Sequence, residues 1–165
     1  MLLMGDLRDY RCPECGYAFG AALGVGMMFP LVYMETVSKT KSGELGSEAQ
    51  KFFAEHPDGA VNCESVLMKC VKCGKYDCRE ALTMYLPKED YIHAKPEGMW
   101  QLRCRSKRAD YVSSEKLEVC YTKYAEYPHK CEECGSDMRI LAENEPLTCP
   151  NCGHELEESE AGCWD

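Results

Sequence analysis

Residues 131–135 read CEECG and residues 149–153 read CPNCG, with 14 residues between Cys134 and Cys149. Each C-x-x-C-G can form a tight turn, which we call a knuckle, whose two thiolates point into one concavity. Its glycine accepts a positive φ at no steric cost. Four thiolates around one ion form the closed site that structural zinc prefers, and this spacing is close to that of known two-pair zinc sites. The stretch therefore predicts a zinc site with four ligands: Cys131, Cys134, Cys149 and Cys152.

Two further knuckles occur earlier in the chain, CPECG at residues 12–16 and CVKCG at residues 70–74. Four knuckles supply two four-thiolate sites, and three groupings of the knuckles are open on sequence alone. Grouping in chain order is favoured, because the short loop inside the C-terminal site costs little closure entropy. The other expected zinc site then has four ligands: Cys12, Cys15, Cys70 and Cys73.

The composition favours a metal-binding protein of a reducing compartment. The chain has 165 residues and 13 cysteines, and residues 1–10 lack the apolar core of a signal peptide. We therefore expect a cytoplasmic protein, in which cysteines bind metal more often than they form disulfides. A small β-rich domain buries a limited core, whereas structural zinc contributes about 10–16 kcal/mol of apparent binding free energy. The chain is thus predicted to be a small β-rich protein stabilised by metal.

The negative charge of the chain argues against nucleic acid as its partner. The formal net charge is −9, and two zinc ions with four thiolates each would take it to −13. Phosphate backbones repel such a body unless its cations are strongly segregated. A basic cluster follows Trp100 and consists of Arg103, Arg105, Lys107 and Arg108. It is interpreted as a solvated face, or as a surface that docks an acidic partner or the chain's own acidic tail.

Residues 17–34 form an apolar run without a charged residue, interrupted by three glycines and Pro30. The interruptions and the marginal length argue against a membrane-spanning helix. The run also lacks the third glycine of a G-x-G-x-x-G phosphate loop. It predicts a buried strand with a glycine turn or bulge, and a glycine-walled pocket for a small ligand is the alternative.

The remaining sequence predicts short elements around the knuckles. They are an exposed loop at 36–46, a helix at 47–56 capped by Ser47, strands at 61–68 and 76–86, a linker at 87–98, a strand at 117–122, and a hairpin whose arms, 137–141 and 145–148, turn at Glu143 and Asn144. A helix after Ser113 also fits the apolar period around Leu117, although the strand is preferred. The acidic residues beyond Gly153 predict a flexible tail.

The sequence offers little for catalysis. Catalytic zinc keeps an open coordination position, whereas both expected sites are closed by four thiolates. The histidines His56, His93, His129 and His154 are scattered and form no H-E-x-x-H pattern; His129 and His154 are expected at the surface. Cys63, Cys78, Cys104 and Cys120 are interpreted as small packed hydrophobes. Whether the protein is an enzyme is left open, and a non-catalytic role is favoured.

The C-terminal knuckles resemble those of the zinc-ribbon, or rubredoxin-like, superfamily, whose ligand pattern their four cysteines match one for one. Residues 12–19 and 149–153 also look like rubredoxin knuckles. The first site departs from the pattern, because 54 residues separate Cys15 from Cys70. The resemblance implies a fold of two zinc-ribbon-type units, the first with an inserted short helix. It places an elaborated ribbon at 1–95, a C-terminal ribbon at 96–154 and an acidic tail at 155–165.

Ribbon modules often serve as accessory parts of larger assemblies, so this resemblance favours a non-catalytic protein-interaction module. The apolar run or the Trp100–Arg108 segment would face the protein partner. Two alternatives stay open: a nucleic-acid-binding ribbon that uses the basic cluster, and a rubredoxin-like electron carrier, since four-thiolate sites accept iron as well as zinc.

Overall fold

The structure, a computed structural model, describes residues 5–92 and 111–164. The chain divides into two compact units, each built from separate segments. The first, here called the knuckle unit, comprises Met1–Met28, Glu64–Ala81 and Pro128–Asp165. The second, the helical unit, comprises Phe29–Cys63 and Leu82–Tyr127.

Two three-stranded antiparallel sheets form the knuckle unit, and both have the same plan. In the first sheet, strands β1 (Gly5–Arg11) and β2 (Ala18–Leu23) form a hairpin, and β9 (Glu157–Trp164) pairs with the free edge of β1. The register places Arg11 opposite both Ala18 and Glu157. A knuckle therefore turns the hairpin, and the last strand approaches the same end of β1.

The second sheet repeats this arrangement with other segments. Strands β4 (Ser65–Cys70) and β5 (Tyr76–Glu80) form the hairpin, and β8 (Met138–Ile140) pairs with β4. Cys70 lies opposite Met138 in the register. Strands lie on either side of the second knuckle as predicted, but both predicted strands are interrupted: the 61–68 strand at residues 62–64, and the 76–86 strand at Leu82, which has a φ of 54°.

The helical unit packs helices against a small sheet of order β3-β6-β7. Its elements are α1 (Phe29–Ser42), α2 (Ser47–Glu55), β3 (Ala60–Val61), β6 (Met84–Pro87), α3 (Glu89–Ile92), α4 (Ser114–Cys120) and β7 (Tyr121–Ala125). The predicted helix at 47–56 is confirmed, and Ala49, Phe52 and Phe53 form its buried face. Its N-cap is Gly46 rather than Ser47. No helix in the described residues is both long and apolar enough to cross a membrane.

Helix α1 corrects two predictions. The apolar run forms a strand only as far as Leu23, and the predicted exposed loop at 36–46 is largely helical. Pro30 lies in the first turn of α1, where its missing N–H costs no intrahelical bond. Thr36 and Thr40 are buried one turn apart, and the Thr40 hydroxyl donates to the Thr36 carbonyl at 2.7 Å. This bond satisfies the Thr40 hydroxyl within the helix, so its burial leaves no polar group unpaired there.

Two C-terminal predictions are also corrected. The preferred strand at 117–122 is a helix as far as Cys120, and the Ser113 side chain caps it by accepting from the Lys116 N–H. The acidic segment expected to be a flexible tail instead forms β9. Pairing with β1 orders it, Arg8 forms an ion pair with Glu158, and the Trp164 indole N–H donates to the Leu23 carbonyl at 3.0 Å.

The two units do not follow the segments 1–95 and 96–154. Strand pairing between the ends of the chain brings segments of both into the knuckle unit. The predicted turn at Glu143 and Asn144 is present, since Asn144 has a φ of 63°. The predicted arms of that hairpin do not pair, because β8 pairs with β4 instead.

The close contact between Gly5 and Trp164 provides a test of the β9 pairing. A Cβ at Gly5 would lie 2.8 Å from Cδ1 of Trp164 and nearer still to Nε1. In a Trp100→Phe background, Gly5→Ala should therefore expel the indole and shift tryptophan emission to longer wavelength. The free energy of unfolding should fall by about 1–3 kcal/mol, as in other overpacked sites.

The matched control is Gly20→Ala in β2. Its Cβ would meet the Asp9 carboxylate at 3.2 Å and the Arg8 carbonyl at 3.9 Å, and no part of Trp164, so emission and stability should stay close to the parent values. Identical emission from the Gly5 and Gly20 variants would contradict the described position of Trp164.

Candidate metal centres

All four knuckles have the same backbone structure. In each, the first cysteine N–H donates to the carbonyl five residues later at 2.7–2.8 Å, and the glycine N–H donates back to the carbonyl of that cysteine at 2.8–3.2 Å. Each glycine has a φ between 70° and 79°, a conformation that an L side chain rarely adopts. The four glycines are Gly16, Gly74, Gly135 and Gly153. The repeated sequence therefore produces one repeated turn.

The eight knuckle cysteines form two groups of four, and each group could hold a metal ion. Site A consists of Cys12, Cys15, Cys149 and Cys152, and site B consists of Cys70, Cys73, Cys131 and Cys134. Sulfur–sulfur distances across the knuckles are 3.4 and 3.5 Å in site A and 3.5 and 3.7 Å in site B. Tetrahedral zinc with Zn–S bonds of about 2.3 Å requires sulfurs about 3.8 Å apart. The donor atoms therefore fit such an ion.

This grouping shows that the prediction of sites in chain order is wrong. The knuckle at 12–16 joins that at 149–153, and the knuckle at 70–74 joins that at 131–135. The reason is strand pairing, since β1 leads into the first of these knuckles and β9 follows the last. Closing a loop of 134 rather than 14 residues costs only about 2 kcal/mol more. A ladder of seven residue pairs outweighs that difference.

Each knuckle contributes one buried and one exposed sulfur. Cys12, Cys70, Cys131 and Cys149 are buried, whereas the second cysteine of every knuckle is exposed. The metal positions thus lie at the surface of the knuckle unit, with an apolar layer beneath them. Lys75 of the 70–75 segment also forms an ion pair with Glu133 of the facing knuckle, which joins the two halves of site B outside the thiolates.

Hydrogen bonds to sulfur favour the thiolate form that a metal requires. The N–H groups of Lys72 and Cys73 donate to the Cys70 sulfur, both at 3.4 Å. The Cys73 N–H lowers the pKa of Cys70 against the opposing effect of burial. The Ser136 hydroxyl lowers the pKa of Cys134 to about 6. Coordinating thiols must lose their protons, so these donors lower the cost of metal binding at Cys70 and Cys134. At Cys73 the Lys75 N–H lowers the pKa, but contact with the Cys70 sulfur and burial raise it overall to about 11.

The remaining cysteines and histidines do not join either group in the described residues. Cys78, which follows Cys73 by five residues, donates its thiol to the Ala22 carbonyl at 2.9 Å. Cys63 is buried and Cys120 half-buried, as packed cysteines should be. His129 was expected at the surface but is buried, with Nε2 2.9 Å from the Ala81 carbonyl.

Several sequence predictions lie outside the described residues. They concern His93, Trp100, Cys104 and the basic cluster of Arg103, Arg105, Lys107 and Arg108. Sequence reasoning in turn missed the contacts of Tyr76 and Lys69 with Thr148, which join the surroundings of the two sites. No local pattern marks them, because the partners lie more than 70 residues apart.

Comparison with protein-family models, curated proteins and solved structures gives no match for this chain.

Paired substitutions of exposed cysteines test the grouping. Cys15→Ser with Cys152→Ser removes two ligands from site A alone, so one metal ion per chain should resist a chelator. Cys15→Ser with Cys73→Ser damages both sites, so no metal ion should resist it. Elemental analysis after the chelator challenge measures the retained metal. Grouping in chain order requires the opposite result for both double variants.

Proposed function

We propose that the protein is a non-catalytic zinc-binding protein, with two structural zinc ions, that acts as an interaction or accessory module of a larger assembly. The observation that carries the zinc assignment is the pair of four-sulfur groups, with neighbouring sulfurs 3.4–3.7 Å apart. Soft thiolates at tetrahedral spacing suit zinc, which prefers four-coordinate sites of this type. No disulfide bond joins the 12 described cysteines, and we place the protein in the reducing cytoplasm.

A structural role follows from the ligand count. Catalytic zinc holds a water or substrate in a position that the protein leaves open. Four thiolates at each site would fill the coordination shell of the ion. When bound, each ion would hold two distant knuckles together through its cysteines, and it would supply no open position for a reacting molecule.

The interaction role is supported by exposed apolar side chains before and within the start of α1. Met27 is 63% exposed and Leu31 is 55% exposed, and the side chains of Met28, Val32 and Met34 are exposed as well. Methionine and aliphatic side chains are adaptable contacts at protein-binding surfaces. Several of them within eight consecutive residues are more typical of a contact segment than of an ordinary surface.

Metal analysis of the purified full-length chain tests the zinc assignment. We expect two zinc ions per chain and a colourless solution, because zinc has a filled d shell. Removing the metal with a chelator should abolish the β-sheet signal of the knuckle unit in circular dichroism, since the ions supply much of its stability. Zinc should restore the signal. A chain that keeps its spectrum without metal would contradict a structural role.

A second candidate function is electron transfer by iron, and one observation favours it. The two knuckles that resemble those of rubredoxin, at 12–16 and 149–153, lie together in site A. Four-thiolate sites accept iron, and the exposed Cys15 and Cys152 would bring the metal close to a redox partner. Iron in the metal analysis, with thiolate charge-transfer absorption in the visible, would favour this function over the structural one.

Charge placed on the apolar segment tests the interaction role. Leu31→Lys should abolish retention of the partner in affinity purification from the native cell extract, because a buried lysine at the contact would lose its hydration. Val119→Lys, on the exposed face of α4, is the matched control, since Val119 is 72% exposed. A protein retained equally by the parent and both variants would show that this segment is not the contact.

A further inference from the structure

Tyr76 lies between the two metal centres of the knuckle unit. It begins β5, directly after Lys75, whose carbonyl accepts from the N–H of Cys70 in site B. Its ring is buried in the apolar cluster that contains Cys12 and Cys149 of site A. A residue held by the knuckle of one site is thus packed beneath the other.

The Tyr76 hydroxyl binds both polar groups of one peptide residue. It donates to the Thr148 carbonyl at 2.9 Å and accepts from the Thr148 N–H, also at 2.9 Å. Thr148 directly precedes Cys149, the buried ligand of site A. The side chain of Tyr76 therefore fixes the peptide that leads into the last knuckle.

Two further contacts join the same segments. Lys69, directly before Cys70, donates from Nζ to the Thr148 hydroxyl at 2.9 Å and lies over the Tyr76 ring at 5.2 Å. Gly74 approaches Pro150 so closely that a Cβ there would lie 3.7 Å from the proline Cβ. The segment at 69–76 thus contacts the segment at 148–150 at three points.

The stacking of Tyr76 restricts it to this position. Its ring lies parallel to that of Phe19, with the centroids 5.1 Å apart and the planes at 11°. Phe19 belongs to β2, which follows the first knuckle of site A. Tyr76 therefore contacts residues next to both knuckles of site A, namely Phe19 and Thr148. Its backbone belongs to the hairpin of site B.

We infer that Tyr76 couples the two sites, so that zinc bound at one site raises the affinity of the other for zinc. The inference rests on the proposed binding of zinc at both sites. Zinc at site B fixes the 70–75 turn and with it Tyr76, which then holds Thr148 and Cys149 in the geometry that site A requires. Coupling between sites is reciprocal, so zinc at site A favours zinc binding at site B by the same factor.

Native mass spectrometry of the full chain, titrated with zinc alone, measures this coupling. At one zinc per chain, the populations with no, one and two ions are counted. At a constant ratio of the two intrinsic site affinities, the squared one-zinc population divided by the product of the other two populations is inversely proportional to the coupling factor. Couplings between protein sites are typically about 5- to 150-fold.

Tyr76→Phe keeps the ring but removes both hydrogen bonds to Thr148. We expect it to raise this population ratio about 5-fold or more, which is the loss of a typical coupling. Tyr17→Phe is the matched control, because Tyr17 packs against the same Phe19 ring, with centroids 5.9 Å apart. Its ratio should equal that of the parent chain. Lys69→Met, a milder change at a partly exposed position, should raise the ratio by less.

The outcomes separate the coupling from the proposed function. If the parent, Tyr76→Phe and Lys69→Met chains each bind two zinc ions and have the same population ratio, the coupling is overturned and the zinc sites stand. A parent chain that binds no zinc would overturn both. Should Tyr76→Phe fail to fold, Lys69→Met against Tyr17→Phe decides the matter alone, since a higher ratio supports the coupling and an equal one overturns it.

Discussion

Backbone pairing between strands that are far apart in the sequence is the interaction on which both four-cysteine groups depend. A knuckle fixes only its own two sulfurs, through two hydrogen bonds and one glycine. The second pair of sulfurs arrives because β9 pairs with β1 at site A and β8 pairs with β4 at site B. Strand pairing therefore determines which knuckles lie together, and a bound metal ion would stabilise that grouping.

The two sheets are versions of one design, nested rather than consecutive. A hairpin turned by a knuckle receives a third strand that leaves a second knuckle, first with β1, β2 and β9 and again with β4, β5 and β8. The inner sheet is completed before the chain returns to the outer one. Tyr76 and Lys69 contact Thr148 where these two copies meet, so contacts outside the repeated design relate one copy to the other.

Sequence reasoning predicted the local parts of the sites and failed on their assembly. The knuckles, the strands beside Cys70 and the apolar face of α2 depend on neighbouring residues, and those predictions agree with the structure. The grouping failed because closure entropy was given too much weight, although it grows only logarithmically with loop length. Beyond Gly153, charge predicted a flexible tail, but seven paired residues and the Trp164 contacts outweigh the solvation of its glutamates.

The slow growth of closure entropy also explains how the chain segments of the helical unit can interrupt the sequence of the knuckle unit. Phe29–Cys63 enters between β2 and β4, and Leu82–Tyr127 enters between β5 and β8. Each insertion lengthens a loop that the sheets must close, at about 0.6 kcal/mol for each doubling. The helical unit offsets that cost with its own core around Phe52, Val61 and Met84. Insertions between strands leave the knuckles intact, because every knuckle is complete within six consecutive residues.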